Sequence, residues 1–452
     1  MSPQELTAAV DPLRVQALAD RERRWLEHAT QASHSAYQRA STVLAGGAPS
    51  SFQMHEPWPI YLTHGSGSAV WDADGSRRLD FHCGFGAMVQ GHAHPAISRA
   101  VEERVALGTH LAAPTEDAVV VAAELARRFG LEKWRFANSG TEATLDAIRI
   151  ARGVTERDVV VKMIGAYHGH HDAAMVSVDA AGTAYGLGIP EAVAALTASV
   201  RFNDADALEQ ALARLDRDGL RAACVILEPA FMLGMALPEH GYLEAVRDLT
   251  RRYGVLLIFD EVKTGLSIAA GGAVERFGVR PDIVTLAKAL GGGLPSGAIG
   301  STDEIMGALE RRSVFQAGTF NGNALTMAAA RASLFEVLTP DAYARLDRLG
   351  ARLVESCERA LGERGLPGYA RALGARGCVT LSATPIVDHA SLAAAEDRAL
   401  TELTWLYLMN RGVFCAPARP EQWTLSVAHS DEDVDCYALV FAQLLDELTN
   451  AA

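Results

Sequence analysis

Short apolar runs alternate with amphipathic helix patterns along the middle of this chain, and this alternation limits the fold more than any other feature. The runs KWRFAN, DVVVKM, AACVILEP, GVLLIFDE and DIVTLAK follow or precede helix patterns such as PTEDAVVVAAELARRFG. Strand-length runs that alternate with helices are typical of βαβ units. The sequence therefore predicts an α/β fold with a mostly parallel central sheet.

Two of these runs deliver a charged residue at their carboxyl ends. The run GVLLIF is followed by Asp260 and Glu261, and the run DIVTLA is followed by Lys288. Both runs are apolar throughout, as strands buried on both faces of a parallel sheet are. Ligands bind at the carboxyl ends of strands in such sheets, so we expect Asp260 and Lys288 to face one crevice.

An acid and a lysine in one crevice fit two interpretations. In the first, the lysine forms an imine with pyridoxal phosphate, and the carboxylate holds the pyridine nitrogen protonated. In the second, the two residues form an ordinary ion pair at the end of the sheet. A buried aspartate without a cation costs several kcal/mol, and either partner offsets that cost. These two runs alone leave both interpretations open.

A candidate phosphate site lies at residues 137–143, ANSGTEA, between a predicted strand and the next helix. Ser139, Gly140 and Thr141 would place hydroxyls and free backbone N–H groups at a helix amino terminus, where anions bind. The alternative is a plain helix cap. Thr319, in the glycine loop AGTFNGN, is a second candidate phosphate contact.

Two further loops follow predicted strands at the same edge. Tyr167, in GAYHGHHD, is an aromatic residue that could stack on a planar cofactor ring. The alternative is a surface loop, or a metal site built from His168, His170, His171 and Asp172. Glu228 follows the run AACVIL in AACVILEP and is a candidate contact to cofactor or substrate. We predict no metal, either here or at His92 and His94.

Composition excludes several classes of partner. The 41 basic and 55 acidic residues give a net charge of −14, which argues against binding to nucleic acid or to an anionic membrane. No run reaches transmembrane length, and the first residues contain no apolar signal segment. The six cysteines include no CxxC pair. We therefore expect a cytoplasmic protein with no structural zinc or disulfide framework.

The patterns predict four segments along the chain. Residues 1–45 form a helical arm, residues 46–95 the amino-terminal part of a small domain, residues 96–335 the large domain, and residues 336–452 the carboxyl-terminal part of the small domain. Within residues 46–95, the alternating pattern from residue 61 onward predicts a strand meander. A long charged helix at residues 341–364 marks the change of character after the large domain.

The motifs NSGTEA, YHGHHD, LEP, LIFDEV, TLAKALGGGLP and AGTFNGN, in this order, resemble the class III family of pyridoxal-phosphate-dependent aminotransferases. The segment GFGAMVQGHAHPAI and the ending SVAHSDEDVD look like its glutamate-1-semialdehyde aminomutase branch. The resemblance implies fold type I, with a large domain that binds the cofactor and a small α/β domain built from both termini.

The resemblance also implies roles for single residues. Lys288 would form the imine and carry the proton, and Asp260 would pair with the pyridine nitrogen. Val262 and Tyr167 would lie on opposite faces of the ring. Ser139, Gly140 and Thr141 would hold the phosphate, together with Thr319 from the partner subunit of a homodimer. Lys162 and Lys263 are the rival lysines, and we favour Lys288.

The chain departs from the aminomutase branch at substrate positions. Those relatives carry an arginine for the substrate carboxylate in the loop that here reads GGAPSSFQ, yet no arginine occurs between Ala45 and Arg77. Leu233 stands where they have an asparagine, and TGLS replaces a TGFR-like run. Arg419 is the remaining candidate for a carboxylate contact, and Phe85, with Phe52 and Trp58, suggests an apolar pocket wall.

We therefore predict an aminotransferase that moves an amino group between an amino acid or amine donor and a keto acid or aldehyde acceptor. The alternative is an intramolecular aminomutase of the glutamate-1-semialdehyde type. A decarboxylating relative and a catalytically silent binding protein of the same fold are the further alternatives.

Overall fold

The computed structural model describes residues 10–178, 186–417 and 422–449, and these residues divide into two compact units. The larger unit consists of Pro95–Tyr343 and the short segment Ile386–Ala393. The smaller unit contains the described residues before Pro95, the segment Ala344–Pro385 and the described residues after Ala393. The smaller unit is therefore built from both ends of the chain.

Three sheets organise the described residues, one in the larger unit and two in the smaller. The strands are β1 (Leu62–Ser66), β2 (Ala69–Asp72), β3 (Arg77–Asp80), β4 (Lys133–Ala137), β5 (Val159–Met163), β6 (Thr197–Val200), β7 (Ala222–Leu227), β8 (Leu256–Asp260), β9 (Ile283–Ala287), β10 (Gly297–Ser301), β11 (Tyr369–Leu373), β12 (Arg376–Thr380), β13 (Val413–Phe414) and β14 (Gln422–Thr424).

The helices of the described ranges connect these strands. They are α1 (Pro12–Ala29), α2 (Gln31–Ala40), α3 (Cys83–Gly86), α4 (Pro95–Val105), α5 (Glu116–Phe129), α6 (Gly140–Thr155), α7 (Glu191–Ala194), α8 (Ala205–Arg217), α9 (Tyr242–Tyr253), α10 (Gly272–Phe277), α11 (Asp303–Glu310), α12 (Ala324–Ala332), α13 (Pro340–Glu363), α14 (His389–Ala395), α15 (Arg398–Asn410) and α16 (Asp431–Thr449).

The sheet of the larger unit has seven strands in the order β4-β10-β9-β8-β7-β5-β6. The five strands from β9 to β6 run parallel, and β10 runs antiparallel to both of its neighbours, β4 and β9. Every residue of β5, β7, β9 and β10 is buried, which explains why the segments of β5, β7 and β9 read as largely apolar runs. The predicted α/β class with a mostly parallel sheet is confirmed.

Helix α6 packs on the middle of this sheet through small and branched side chains. Its buried face carries Ala143, Ala147 and Ala151 beside Ile148 and Ile150, and it meets the isoleucines of β7, β8, β9 and β10. Alanine at these positions lets the helix lie close to the sheet, so that isoleucine side chains from both layers interdigitate. This packing fixes the amino terminus of α6 at the carboxyl edge of the strands.

The smaller unit contains the sheet β1-β2-β3-β13 and the sheet β11-β12-β14. The meander predicted from residue 61 onward is present as β1, β2 and β3. A buried ion pair of 2.8 Å joins Arg78 and Asp72 within it. No helix of the described part of the chain is both long and apolar enough to span a membrane.

Candidate active site

Parallel pairing of β8 and β9 brings Asp260 and Lys288 to one edge of the sheet. Asp260 is the last residue of β8, and in the ladder it lies opposite Thr285 of β9. Lys288 directly follows β9, has a φ of +49°, and begins the turn Lys288–Gly291. The positive charge of Lys288 lowers the pKa of Asp260, so the two groups interact within one crevice.

The carboxylate of Asp260 is buried and well supplied with donors. His168 Nδ1 donates to Oδ2 at 2.7 Å, and the backbone N–H of Val262 and the hydroxyl of Thr285 donate to Oδ1 at 3.0 and 3.2 Å. Burial by itself would raise the pKa of Asp260, but the hydrogen bonds from His168 and Val262 and the charges of His168 and Lys288 outweigh it and hold the pKa below its usual value. Asp260 is therefore an anion at neutral pH.

The sequence did not predict that His168 is the partner of Asp260. It indicated His168 only as a residue of a surface loop or as a metal ligand. The residue lies in the loop after β5 and is almost fully buried. The hydroxyl of Thr144 on α6 donates to its backbone carbonyl at 2.6 Å and anchors it. Its Nε2 is buried without a hydrogen-bond partner among the described residues. The only signal for this pairing was the position of the loop at the strand end.

The amino terminus of α6 lies beside the same crevice. Ser139 caps this helix, and its hydroxyl accepts a hydrogen bond from the N–H of Glu142 at 3.1 Å. A side chain on Gly140 would place its Cβ 2.8 Å from a methyl group of Val262, so glycine allows this close approach. The structure thus brings the predicted phosphate residues Ser139, Gly140 and Thr141 next to Val262. A helix amino terminus at this place suits an anion, although the Ser139 hydroxyl already caps one of its N–H groups.

The loop after β5 closes over this helix terminus. A Cβ on Gly169, whose φ is +96°, would lie 2.7 Å from Cα of Thr141, and the hydroxyl of Tyr167 forms a hydrogen bond with Thr141. Burial raises the pKa of Tyr167, against the effect of that hydrogen bond. The negative charge of Asp260 also raises the pKa of Tyr167. Tyr167 therefore contacts one of the candidate phosphate residues and lies close enough to the buried carboxylate to interact with it.

Glu228 follows β7 at the same edge. Its side chain is nearly buried, and its Oε2 has no hydrogen-bond partner among the described residues. A buried carboxylate oxygen without a donor is costly, so this atom is suited to contact a bound molecule.

The remaining predicted contacts are at Thr319, Phe85 and Arg419, with Trp58 as a further candidate for the pocket wall. Thr319 lies in an exposed loop of the larger unit. Phe85 belongs to the smaller unit, is partly exposed, and has its ring 5.6 Å from that of Phe52. Trp58 is buried and donates to the hydroxyl of Thr30, so its side chain serves packing. Arg419 lies outside the described residues.

Histidines that might have suggested a metal have other partners. His92 contacts Asp80 at 2.6 Å, and His171 lies 3.4 Å from the hydroxyl of Thr144. In the ranges 10–178, 186–417 and 422–449, no group of three or more His, Cys, Asp or Glu residues is arranged to hold a metal ion.

The crevice residues fit pyridoxal phosphate. A carboxylate offers about four lone-pair positions, and the three donors to Asp260 leave one for a protonated ring nitrogen. The helix terminus suits the phosphate, and Lys288 can reach into the crevice from the neighbouring strand. Fold and site together define a pyridoxal-phosphate-dependent enzyme of fold type I.

Comparison with known proteins assigns the family. Residues 51–418 match the model of the aminotransferase class-III family, and the chain belongs to that family. The chain is 39% identical over 413 residues to a glutamate-1-semialdehyde 2,1-aminomutase of Syntrophobacter fumaroxidans, which covers 89% of this chain and 94% of that protein.

Two solved structures show how far the likeness extends. A glutamate-1-semialdehyde aminomutase from Pseudomonas aeruginosa in complex with PMP is 33% identical, has a TM-score of 0.90, and covers 97% of this chain and 100% of its own. An omega-transaminase from Sphaerobacter thermophilus is 35% identical with a TM-score of 0.88, and covers 93% and 98% respectively. The predicted family, its cofactor pyridoxal phosphate and its fold type are confirmed.

The names of the curated relatives support the aminomutase alternative more than the predicted transaminase. The comparisons show that this chain is a pyridoxal-phosphate-dependent enzyme of the class III aminotransferase family. They do not distinguish a transaminase from an aminomutase.

Proposed function

We propose that this enzyme moves an amino group between an amino acid or amine donor and a separate keto acid or aldehyde acceptor. The observation that carries the proposal is the lack of any arginine between Ala45 and Arg77. Aminomutase members of the resembled branch carry a substrate-binding arginine in this stretch. Without it, this chain lacks their contact to the carboxylate of glutamate-1-semialdehyde.

Lys288 and Asp260 carry the chemistry in this proposal. Bound pyridoxal phosphate supplies an electron-withdrawing ring that stabilises negative charge on the substrate carbon. Lys288 would be the point of covalent attachment, and its Nζ, once released, would accept the proton from the α-carbon of the donor. Asp260, whose pKa is held low by His168, Val262 and Lys288 against the effect of burial, would keep the ring nitrogen protonated.

The other crevice residues bind and orient. We assign the phosphate to Ser139, Gly140 and Thr141, which lie at the amino terminus of α6. Val262 and Tyr167 are assigned to opposite faces of the ring.

Four further residues are proposed to contact bound molecules. Glu228 is proposed as a contact to cofactor or substrate. Thr319 is proposed to reach the phosphate of a second copy in a homodimer, and the enzyme is proposed to work in the cytoplasm. Arg419 for a substrate carboxylate and Phe85 for an apolar side chain rest on the family resemblance alone.

The second candidate is an intramolecular aminomutase, in which amino group and carbonyl exchange places within one substrate. The observation that favours it is the name shared by curated relatives that are 36–39% identical to this chain. It requires a substrate that carries both groups and releases no free keto product.

Visible absorption of the cofactor-loaded enzyme separates the two candidates. Amino donors are added one at a time without an acceptor, and a transaminase is expected to convert its cofactor to the amine form and release a stoichiometric keto acid or aldehyde. A carbonyl acceptor should then restore the first spectrum. Rearrangement of a bifunctional substrate with no released carbonyl product would instead support the aminomutase.

A further inference from the structure

One lysine of the larger unit is fully buried within the central sheet. Lys162 is the fourth residue of β5, and its side chain is 0% exposed. Lysine is almost never buried to this degree unless its ammonium group has partners that replace water. The sequence suggested Lys162 only as a rival to Lys288 for attachment of the cofactor.

The side-chain nitrogen of Lys162 has three such partners, all in one loop. Nζ donates to the backbone carbonyls of Ala166, Ala174 and Val176 at 2.8, 3.0 and 2.7 Å. An ammonium group has three N–H donors, so these contacts use its full capacity. Lys162 therefore joins the beginning and the end of the loop at residues 164–178, and it is not placed to attach a cofactor.

This loop carries two residues of the candidate site. Tyr167 directly follows the first carbonyl that Lys162 binds, and His168 comes next and donates to Asp260. A second contact holds the loop at Gly165, because the ring of His389 lies against this glycine. A Cβ added to Gly165 would lie 2.0 Å from Cδ2 of His389. The position of Tyr167 and His168 thus depends on how the loop is fastened.

We infer that Lys162 is a positioning residue that clamps the loop at residues 164–178 and so sets Tyr167 and His168 in place for the cofactor. The inference rests on the proposed roles of Tyr167 and Asp260, and it assigns Lys162 no contact with reacting atoms. It explains why a strand that is otherwise apolar contains a lysine.

The charged form of Lys162 donates to all three carbonyls, and the neutral form keeps two of these hydrogen bonds. Burial lowers the pKa of Lys162 to about 7, and the nearby Glu228 opposes this effect. The neutral amine still has two N–H groups for the three carbonyls.

The test compares Lys162→Met with a control that loses a buried cation elsewhere. Arg247→Met suits this purpose, because Arg247 is nearly buried and pairs with Asp282 at 2.9 Å, next to the amino end of β9. For each purified variant, amide hydrogen exchange is followed by mass spectrometry with and without pyridoxal phosphate. The dissociation constant of the cofactor is measured by titration of the apoprotein, and the circular dichroism of the bound cofactor is recorded at its visible band.

Lys162→Met is expected to speed exchange at residues 164–178 by at least about tenfold, since each lost hydrogen bond shifts local opening by roughly that factor. The dissociation constant of the cofactor should rise by a similar factor, and the visible dichroism should change because Tyr167 moves. Arg247→Met should lower the unfolding midpoint and leave all three of these properties unchanged. Lys162→Gln keeps a shorter amide donor, so its exchange rate and its dissociation constant for the cofactor should lie between those of wild type and Lys162→Met. The same measurements on Lys162→Gln replace those on Lys162→Met if the methionine variant does not fold.

Unchanged exchange and cofactor affinity in the folded Lys162 variant would overturn the inference, as would equal changes in Arg247→Met. Faster exchange of the loop without weaker cofactor binding or altered dichroism would also overturn it, because the loop would then not position the cofactor. These readouts do not involve amino transfer, so a failure of the proposed transaminase function would appear separately in the donor titration.

Discussion

Substitution of Asp260 by asparagine changes one oxygen to an NH₂ group and removes the charge assigned to hold the ring nitrogen protonated. The carboxylate is buried, and its pKa is depressed by His168 and Lys288 despite the opposing effect of burial. Removal of one partner from a buried charge pair costs about 3–5 kcal/mol. At about 1.4 kcal/mol per factor of ten, we expect kcat to fall by about 10²- to 10⁴-fold.

The loss of stability should be smaller than the loss of activity. Asparagine can still accept from His168 through its carbonyl oxygen, and the Thr285 hydroxyl can turn to accept from the NH₂ group. The N–H of Val262 then loses its acceptor, which it now reaches at 3.0 Å. One buried donor without a partner costs about 1–3 kcal/mol, so the variant is expected to fold.

The assay is kcat at saturating cofactor, with a donor and acceptor identified by absorption. Thr285→Val is the matched control, since it removes only the hydroxyl donor at 3.2 Å and leaves the carboxylate charged. A single hydrogen bond contributes about 0.5–1.5 kcal/mol, so this control should lose no more than about tenfold. A kcat of the Asp260→Asn variant within tenfold of the wild-type kcat, at equal cofactor occupancy, would refute the role given to Asp260.

Three further predictions concern other parts of the structure. Burial raises the pKa of Glu261 from 4.5 to about 7. The unfolding free energy of the wild type should therefore fall by on the order of a few kcal/mol as the pH rises from 4.5 to 7, which a denaturant titration measures. Glu261→Gln should lack this fall, and parallel pH curves would contradict the assignment. Gly165→Ala should lose about 2–4 kcal/mol of unfolding free energy in urea, part of which His389→Ala should restore in the double variant; strictly additive losses would show that the two side chains do not meet. Arg78→Met leaves Asp72 as a buried charge and should lose about 3–5 kcal/mol in the same assay, whereas a loss below 1 kcal/mol would show that water replaces the pair.

The sequence predicted the larger features because they follow from chain periodicity. Strands buried on both faces are apolar throughout, and parallel strands end at one edge of the sheet. The ends of β8 and β9 therefore brought Asp260 and Lys288 together in the prediction as they do in the structure. Helix patterns were equally strong, although the amino-terminal helical arm divides at Thr30 into α1 and α2.

The strands that the sequence did not predict have weak local signals. Strand β10 reads GAIGS, and its small residues lack the branched and aromatic side chains that indicate a strand. Strands β6 and β11 are four and five residues long and are only partly apolar. Their conformation is imposed by pairing with neighbours, which a local pattern does not contain.

Contacts between side chains that are distant in sequence were also beyond prediction. The hydrogen bond from His168 to Asp260 joins residues 92 positions apart, and it depends on the order of β5, β7 and β8 in the sheet. The carbonyl partners of Lys162 depend on the path of a loop that has no periodic pattern. Such contacts arise from tertiary packing, so residue types and spacing indicate only that a polar group is present.

The most direct test of the proposed site is to identify the lysine to which the cofactor is covalently attached. The cofactor-loaded protein is treated with borohydride to make the link permanent, digested, and analysed by mass spectrometry for the lysine that carries the cofactor. The account predicts modification at Lys288 and none in Lys288→Ala. Modification at Lys162 or Lys263 instead, or no modified lysine in a protein that binds the cofactor, would contradict it.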